Sequence, residues 1–319
     1  MAKKVLIAPL NWGLGHASRC ISIIYQHLHD GDEVVMGGDG ESFVLLQKHF
    51  PSLPFVQLVP LKLAYSRRDS QVWAMCKALP KIILWAIKEH FLLQKIQQKE
   101  HFDLIISDNR FGLFHPTTRS IYITHQLHIP LPKKLHFLEN LAQKIHYRVI
   151  QKYDECWVPD FENGNNLAGK LSHPSVLPNV LVKYIGPLSR FVRYQNITPN
   201  STYAVVCVLS GLEPQRTLLE KSLIEKWQHK PEKVLIVQGK YDVATTPTEI
   251  DNITLIPNIE DALLASYLLG TKKIIARSGY SIIMDLFCLH VLEKAELIPT
   301  PGQPEQEYLY HHICHNREQ

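Results

Sequence analysis

A glycine-containing loop near the start of the chain holds residues whose types could do chemistry. Gly13, Gly15, His16 and Arg19 lie between an apolar run of strand length, residues 5–9, and a helical pattern. The glycines permit close backbone approach, and N–H groups at the start of a helix favour an anion. His16 can exchange protons at neutral pH, because an unperturbed imidazole has a pKa of about 6.5. The loop therefore predicts a general base at His16, and a histidine that merely caps the loop is the alternative.

A second candidate site follows an expected strand at residues 274–276. Ser278, Gly279 and Ser281 are small residues at the start of a helix, where backbone N–H groups and the helix dipole stabilise a diphosphate. Asp285 lies one turn further into that helix, so its carboxylate could accept both hydroxyls of a ribose. A solvated carboxylate is the alternative for Asp285, since most aspartates are exposed.

The loop at residues 299–306 ends in a carboxylate next to an amide, Glu305 and Gln306. This pair can bind sugar hydroxyls, and the prolines before it restrict the loop. Glu and Gln also favour the first turn of a helix for capping reasons. The pair therefore indicates a sugar contact only in combination with the other motifs.

Apolar runs and helical patterns alternate along both halves of the chain, as in α/β proteins with parallel sheets. The strands expected in the first half are residues 5–9, 33–36, 55–59, 104–107, 121–124, 156–158 and 182–185. The second half restarts the alternation with strands at residues 204–209, 234–237, 253–256 and 274–276. We expect two Rossmann-like doubly wound domains facing across a cleft, residues 1–186 and 187–319, with the boundary at Gly186 and Pro187.

Composition and motifs argue against several function classes. The 319 residues carry 34 Lys and Arg against 30 Asp and Glu, and a net charge of +4 gives no support to nucleic-acid binding. A nicotinamide enzyme is disfavoured, because the dinucleotide fingerprint needs a glycine where the chain has Ser18. The six cysteines are scattered and read as reduced thiols without zinc. His311 and His315 have helical spacing but no third ligand set, so we expect no metal there.

The location of the protein follows from its apolar segments. The first apolar run is too short for a signal peptide, and no window reaches the roughly 18 apolar residues of a spanning helix. We expect a cytoplasmic protein, with peripheral association at the inner face of a membrane left open. Residues 79–98 contain Trp85, Phe91 and several lysines. Their apolar residues cover most of the helix circumference, which favours a buried helix over one lying on a membrane.

Together these motifs resemble those of the GT-B nucleotide-sugar glycosyltransferases, which have two Rossmann-like domains. The pattern is most similar to the branch that contains the N-acetylglucosaminyltransferase of peptidoglycan lipid synthesis. The resemblance covers both halves, but only the three motifs above are specific. Such proteins usually continue beyond the last donor-domain helix, whereas few residues follow it here. We therefore expect the two domains to be joined mainly at Gly186 and Pro187 and to move relative to one another.

The resemblance implies roles for individual residues. His16 would activate the acceptor, the N-terminal domain would hold the acceptor, and the C-terminal domain would hold the donor. The residues implied on the donor side are Gly13, Gly15, Gly211, Asn258, Ile259, Arg277, Ser278, Gly279, Ser281, Asp285, Glu305 and Gln306. Those implied on the acceptor side are Asp108, Asn109, Thr124 and His125, which end strands of the first domain. Relatives commonly carry Glu at the position of Asp285, which has a shorter reach toward the ribose.

The resemblance also implies a reaction. A sugar would move from a nucleoside diphosphate sugar, with uridine diphosphate favoured, to a hydroxyl of a saccharide or lipid-linked acceptor. The transfer would be inverting and would need no bound cofactor or metal. Two alternatives remain open at this stage. One is a nucleotide-sugar epimerase, and the other is a catalytically silent nucleotide-sugar-binding partner of another transferase.

Overall fold

A computed structural model describes residues 2–61, 71–164, 166–211, 213–240 and 246–318. The side chain of Cys76, one of the expected free thiols, lies outside the described side chains. The chain divides into two compact units. The first comprises Met1–Trp12, His16–Leu188 and Gly302–Glu305, and the second comprises Gly13–Gly15, Ser189–Pro301 and Gln306–Gln319. The main change from one unit to the other falls after Leu188, two residues beyond the expected Gly186.

The first unit contains a seven-stranded sheet in which all neighbouring strands are parallel. The strand order is β3-β2-β1-β4-β5-β6-β7. The strands are β1 (Lys4–Pro9), β2 (Glu33–Gly38), β3 (Phe55–Gln57), β4 (Leu104–Asp108), β5 (Arg119–Ile123), β6 (Glu155–Val158) and β7 (Leu181–Tyr184). The helices are α1 (Gly15–His29), α2 (Gly40–His49), α3 (Gln71–Glu100) and α4 (Glu139–Ile150). A 3-10 turn, Lys133–Leu138, directly precedes α4.

The second unit contains a six-stranded sheet of order β10-β11-β9-β8-β12-β13. Its strands are β8 (Val205–Val208), β9 (Val234–Val237), β10 (Thr248–Ile250), β11 (Ile253–Ile256), β12 (Lys273–Arg277) and β13 (Ala295–Ile298). Its helices are α5 (Gln215–Trp227), α6 (Asp261–Gly270), α7 (Tyr280–Cys288) and α8 (Pro304–Glu318), except that Pro304 and Glu305 of α8 belong to the first unit. The four ranges expected from the sequence do not include β13 or β10. The latter is a short and largely exposed edge strand that pairs antiparallel with β11. The expected α/β class with two parallel-dominated sheets is confirmed.

The apolar strands form the centre of each unit. Val5, Leu6, Ile7 and Ala8 of β1 are completely buried, as a parallel strand covered by helices on both faces requires. In the second unit, β8 and β9 supply the equivalent buried residues. Within the described ranges, no helix combines the length and apolar character needed to cross a membrane.

Helix α3 is buried on one side only, which corrects the expectation of a buried helix. Trp85 and Leu93 face the core, and Trp85 Nε1 donates to the Val59 carbonyl at 2.8 Å. Five large apolar side chains on the rest of the helix are exposed, namely Leu79, Ile83, Leu84, Ile87 and Phe91. The hydrophobic pattern gave the wrong answer because it records which residues are apolar and not whether a neighbouring element covers them.

The central strands bring the candidate residues of the first unit to one edge of the sheet. Pro9 at the end of β1 is in register with Asp108 at the end of β4, and Asp108 is in register with Ile123 of β5. The loops that leave these three strands therefore start side by side. Ligands of open α/β sheets bind at this carboxyl edge.

Candidate active site

The loop after β1 delivers His16 to the carboxyl edge of the sheet. Gly13 has a φ of +78°, a left-handed conformation that favours glycine. Gly15 begins α1, and a Cβ built there would lie 2.6 Å from Oγ of Ser281, so only glycine fits without a shift. His16 follows in the first helical turn, and its side chain is 16% exposed.

A completely buried carboxylate, Asp108, holds the His16 ring. The Nδ1 atom of His16 lies 2.7 Å from Oδ1 of Asp108. Arg19 donates to the same carboxylate with two groups, Nε to Oδ2 and Nη2 to Oδ1. Cys20 Sγ is a weaker donor at 3.7 Å. A carboxylate only accepts hydrogen bonds, so the bond from His16 requires a proton on Nδ1 and leaves the lone pair on Nε2.

The charges of this cluster favour a neutral imidazole and an ionised carboxylate. Burial alone would raise the pKa of Asp108, but Arg19 and His16 outweigh it and lower the pKa to about 2. Burial, followed by the positive charge of Arg19, lowers the pKa of His16 from its usual 6.5, although Asp108 acts in the opposite direction. At neutral pH, His16 is therefore in the form that can accept a proton.

Other acceptor-side residues named from the sequence surround this cluster. His125, which follows β5, is buried, and its Nε2 lies 2.8 Å from Oε1 of Glu305 in the same unit. Burial would raise the pKa of Glu305, but the bond with His125 outweighs it and lowers the pKa. Asn109 has a φ of +57° and accepts from the Tyr122 hydroxyl at 2.9 Å. Thr124 is buried, and its hydroxyl accepts from the Gln126 amide.

In the second unit, the start of α7 forms an open helix N-terminus. Gly279 is the N-cap residue, with φ −74° and ψ 145°, and a Cβ built on it would meet nothing within 4 Å. Any residue can adopt these backbone angles, so the conformation does not require glycine. The absence of a side chain leaves space in front of the helix. The N–H groups of the first turn face that space and favour an anion there.

Three residues expected to contact the donor instead brace the loops around α7. The Ser278 hydroxyl is buried and donates to the Gln306 carbonyl at 2.8 Å. Arg277 donates to the carbonyls of Pro299 and Gln215, at 3.1 and 2.9 Å. The side chain of Gln306 accepts from the Thr300 amide at 2.9 Å. These side chains hold the backbone of the turn in place, and the main-chain groups of the turn and the partly exposed Ser281 stay candidates for meeting a diphosphate.

The Asp285 carboxylate is buried inside the second unit, which corrects the alternative of a solvated carboxylate, and the ribose contact stays a prediction. Ser189 Oγ donates to Oδ1 at 2.6 Å, and Arg190 Nε lies 3.6 Å from Oδ2. Arg190 also forms an ion pair with Asp261 at 2.9 Å. Burial raises the pKa of Asp285 to about 6. Both oxygens thus face residues 96 and 95 positions earlier in the chain, a pairing that helical spacing could not predict.

The remaining donor-side residues lie in loops of the second unit. Gly211 has a φ of +96° in the loop after β8, which requires glycine. Asn258 is buried after β11, and its amide donates to the Lys240 carbonyl at 2.7 Å, next to the half-buried Ile259. Among the described residues, no group of three or more His, Cys, Asp or Glu side chains is arranged to hold a metal ion.

The sequence analysis did not find the partners of His16. It placed Asp108 on the acceptor side and quoted Arg19 only as part of a motif, whereas the structure joins all three residues. The available signal was the position of Asp108 at the end of the strand next to β1, since such strand ends lie together.

Comparison with known proteins supports the same architecture. No protein-family model matches the chain. An uncharacterised glycosyltransferase of Methanosarcina acetivorans is 24% identical over 322 residues, covering 95% of this chain and 81% of that protein. The kitacinnamycin glycotransferase superposes with a TM-score of 0.59 at 16% identity, covering 97% of this chain and 84% of its own.

Two further solved structures carry nucleotides or nucleotide sugars. Arabidopsis thaliana UGT89C1, complexed with UDP-L-rhamnose, has a TM-score of 0.60 at 12% identity and covers 99% of this chain and 83% of its own. The spinosyn rhamnosyltransferase SpnG, complexed with thymidine diphosphate, has a TM-score of 0.55 at 12% identity and covers 99% and 92%.

The chain has the GT-B glycosyltransferase fold. This confirms the fold that the sequence motifs predicted by resemblance. The closer similarity to the branch of the peptidoglycan lipid N-acetylglucosaminyltransferase stays a prediction. Each unit has one candidate site of its own: the His16 cluster in the first unit and the open N-terminus of α7 in the second.

Proposed function

We propose that this protein is a glycosyltransferase that moves a sugar from a nucleoside diphosphate sugar to an acceptor hydroxyl. The observation that carries the proposal is the pairing of His16 with buried Asp108 in a GT-B fold. This pairing fixes the orientation of the imidazole. It keeps the ring proton on Nδ1, so that Nε2 is free to act as a base. Positioned bases of this kind contribute about 10²–10⁴-fold to rate.

The proposed step is a single displacement. His16 Nε2 takes the proton of the acceptor hydroxyl, and the oxygen electron pair forms a bond to the anomeric carbon of the donor sugar. The bond from that carbon to the diphosphate oxygen breaks, and its electron pair leaves with the nucleoside diphosphate. Attack opposite the leaving group inverts the anomeric configuration. Asp108 stays ionised and stabilises the imidazolium that forms.

The departing diphosphate would meet the start of α7. The open space at Gly279 admits it, and the N–H groups of Gly279, Tyr280 and Ser281 would stabilise its charge together with the helix dipole. This fixed positive field is the basis for proposing transfer without a bound metal. Gly13 and Gly211 would add backbone approach to the phosphates, and the loop with Asn258 and Ile259 would hold the base.

The proposed donor is a uridine diphosphate sugar. Support comes from UGT89C1, whose structure holds UDP-L-rhamnose. The structure of SpnG holds thymidine diphosphate, so the binding experiment below compares both nucleotides. The nucleotide sugar is a substrate here, and we propose no resident cofactor.

A saccharide or lipid-linked acceptor suits the carboxyl edge of the first unit. Asn109, Thr124 and His125 provide polar groups there. Trp12 and Phe111 are half-buried in an apolar cluster that includes Trp85 of α3. Aromatic side chains of this kind bind the apolar faces of sugars and lipids.

We also propose that α3 rests on a membrane surface. The exposed apolar residues at positions 79, 83, 87 and 91 follow a four-residue spacing and so form one row along the helix. Lys81, Lys88 and Lys95 are exposed on the same helix, and residues 79–95 contain one acidic residue, the buried Glu89. Glu89 is paired with Arg110 at 2.6 Å. An apolar row with lysines on its polar side fits an anionic lipid surface.

His16→Ala is expected to lower kcat by about 10²–10⁴-fold with an identified donor and acceptor, because the base is lost. Donor binding should stay close to that of the native protein. His29→Ala on the same helix is the matched control, since its side chain is 86% exposed. Nearly unchanged kcat in the His16 variant would remove His16 from the mechanism. Conversion of the nucleotide sugar to an isomer without acceptor would instead indicate an epimerase.

Gly279→Val tests the proposed donor site at the start of α7. A Cβ at this position meets nothing within 4 Å and the backbone conformation is ordinary, so the protein should stay folded, with a small drop in the melting temperature of the nucleotide-free form because valine caps a helix less well than glycine. The valine side chain would fill the proposed diphosphate position, so UDP should bind at least about tenfold more weakly and raise the melting temperature less.

A thermal-shift panel of UDP, TDP and GDP on both proteins is the measurement, with exposed Ser201→Val as the control. Equal stabilisation of native and Gly279→Val protein by every diphosphate would place the donor elsewhere. No stabilisation of the native protein would argue against a nucleotide site.

Replacing both Ile83 and Phe91 by Ser should weaken binding to vesicles that contain phosphatidylglycerol by at least about tenfold, because two apolar anchors are lost. Co-sedimentation with neutral and anionic vesicles measures this. Leu218→Ser with Val192→Ser removes equally exposed apolar groups from the second unit and should leave binding intact. The membrane proposal is wrong if native protein ignores anionic vesicles or if both double variants bind alike.

A further inference from the structure

We infer that Arg19 is a positioning residue for His16: it clamps Asp108, which in turn holds the imidazole with Nε2 available as the base. The catalytic meaning of this inference rests on the proposed sugar transfer. The clamp itself is a feature of the first unit and can be measured without any reaction.

The clamp uses both oxygens of one carboxylate. Arg19 is 2% exposed, and its Nε and Nη2 groups donate to Oδ2 and Oδ1 of Asp108. His16 shares Oδ1 with the arginine. The carboxylate therefore cannot rotate away from the imidazole without breaking two charged hydrogen bonds at once.

The geometry specifically suits arginine. Its planar guanidinium matches a carboxylate with two parallel N–H groups and keeps its charge in a buried site. Lysine would offer a point charge from one nitrogen. Arg19 and His16 are three positions apart on α1, so one helical turn sets the spacing between clamp and base.

The charges around His16 show why the residue that holds Asp108 must be positively charged if the imidazole is to stay neutral. The groups that act on the ring are Arg19 of its own helix, Asp108 of β4, His125 after β5 and Glu305 at the start of α8. The anionic partners favour the protonated ring, and a base that already carries its proton cannot accept another. Arg19 Nη2 lies 2.8 Å from His16 Nδ1, where its charge opposes that protonation.

Arg19→Gln removes the charge and keeps a hydrogen-bond donor, so the pKa of His16 should rise by about one unit or more. The measurement is an NMR titration of the histidine ring signals, with His16 assigned by its loss in His16→Gln among the 17 histidines. Arg148→Gln removes one exposed positive charge from the same unit and is the control. An unchanged or lower His16 pKa in folded Arg19→Gln protein would overturn the inference.

Arg19→Lys covers the case in which the Gln variant does not fold. It keeps the charge but loses the bidentate clamp, so the ring should be less well fixed and kcat should fall at least about tenfold, with KM little changed. Unchanged kcat and an unchanged titration would overturn the inference.

Kinetics link the clamp to the reaction. In Arg19→Gln, the acidic limb of the profile of kcat/KM against pH should shift to higher pH, by the same amount as the titration of His16. If the pKa of His16 shifts in Arg19→Gln but the unsubstituted protein transfers no sugar, the inference about Arg19 stands and only the proposed function is refuted. If the unsubstituted protein transfers sugar but the pKa of His16 is the same in Arg19→Gln, only the inference about Arg19 is refuted.

Discussion

One buried negative charge organises the first unit. Asp108 has no exposed surface and ends the strand next to β1, where it receives hydrogen bonds from Arg19 and His16. A carboxylate in such a place costs several kcal/mol unless it is paired, and removal of one partner of a buried pair typically costs about 3–5 kcal/mol. The stability of the first unit therefore depends on the same contact that, in the proposed reaction, prepares His16 as the base. A substitution of Arg19 or His16 also removes a hydrogen bond from Asp108.

The parallel sheet explains why this contact forms. Parallel pairing in register places the carboxyl ends of β1, β4 and β5 side by side, so α1, which follows β1, begins close to the end of β4. The second unit repeats the principle, since α7 follows β12 and opens its N-terminus at the carboxyl end of that strand. In the proposed reaction, one strand-to-helix turn supplies a base and the other supplies a positive field for the leaving group.

The sequence predicts the strands and the two strand-to-helix turns well, because their positions along the chain depend mainly on local residue types and little on long-range packing. Buried apolar strands stand out as continuous runs, and their bounds differ from the observed ones by one or two residues in most cases. The loop with His16 and the turn before α7 follow from glycine and small residues at strand ends. Short exposed β10 lacks such a pattern, because its pairing with β11 and not its composition makes it a strand.

Side-chain partners are the part that spacing does not predict. Arg19 reaches Asp108 across 89 positions, and Ser189 reaches Asp285 across 96. The first pairing joins two residues of the His16 cluster, and the second buries the carboxylate of Asp285 inside the second unit. Both pairings join elements that are distant in sequence and meet only in the folded chain. The exposed row of α3 could not be predicted for the same reason, since periodicity does not record which elements cover a helix.

The central claim is that His16, held by Asp108, acts as a base in a single displacement. The anomeric configuration of the product tests it most directly, measured by NMR on the glycoside formed from an α-linked nucleotide sugar. The account predicts a β-linked product, because the acceptor attacks opposite the departing diphosphate. An α-linked product would require a different course of reaction and would contradict the role given to His16.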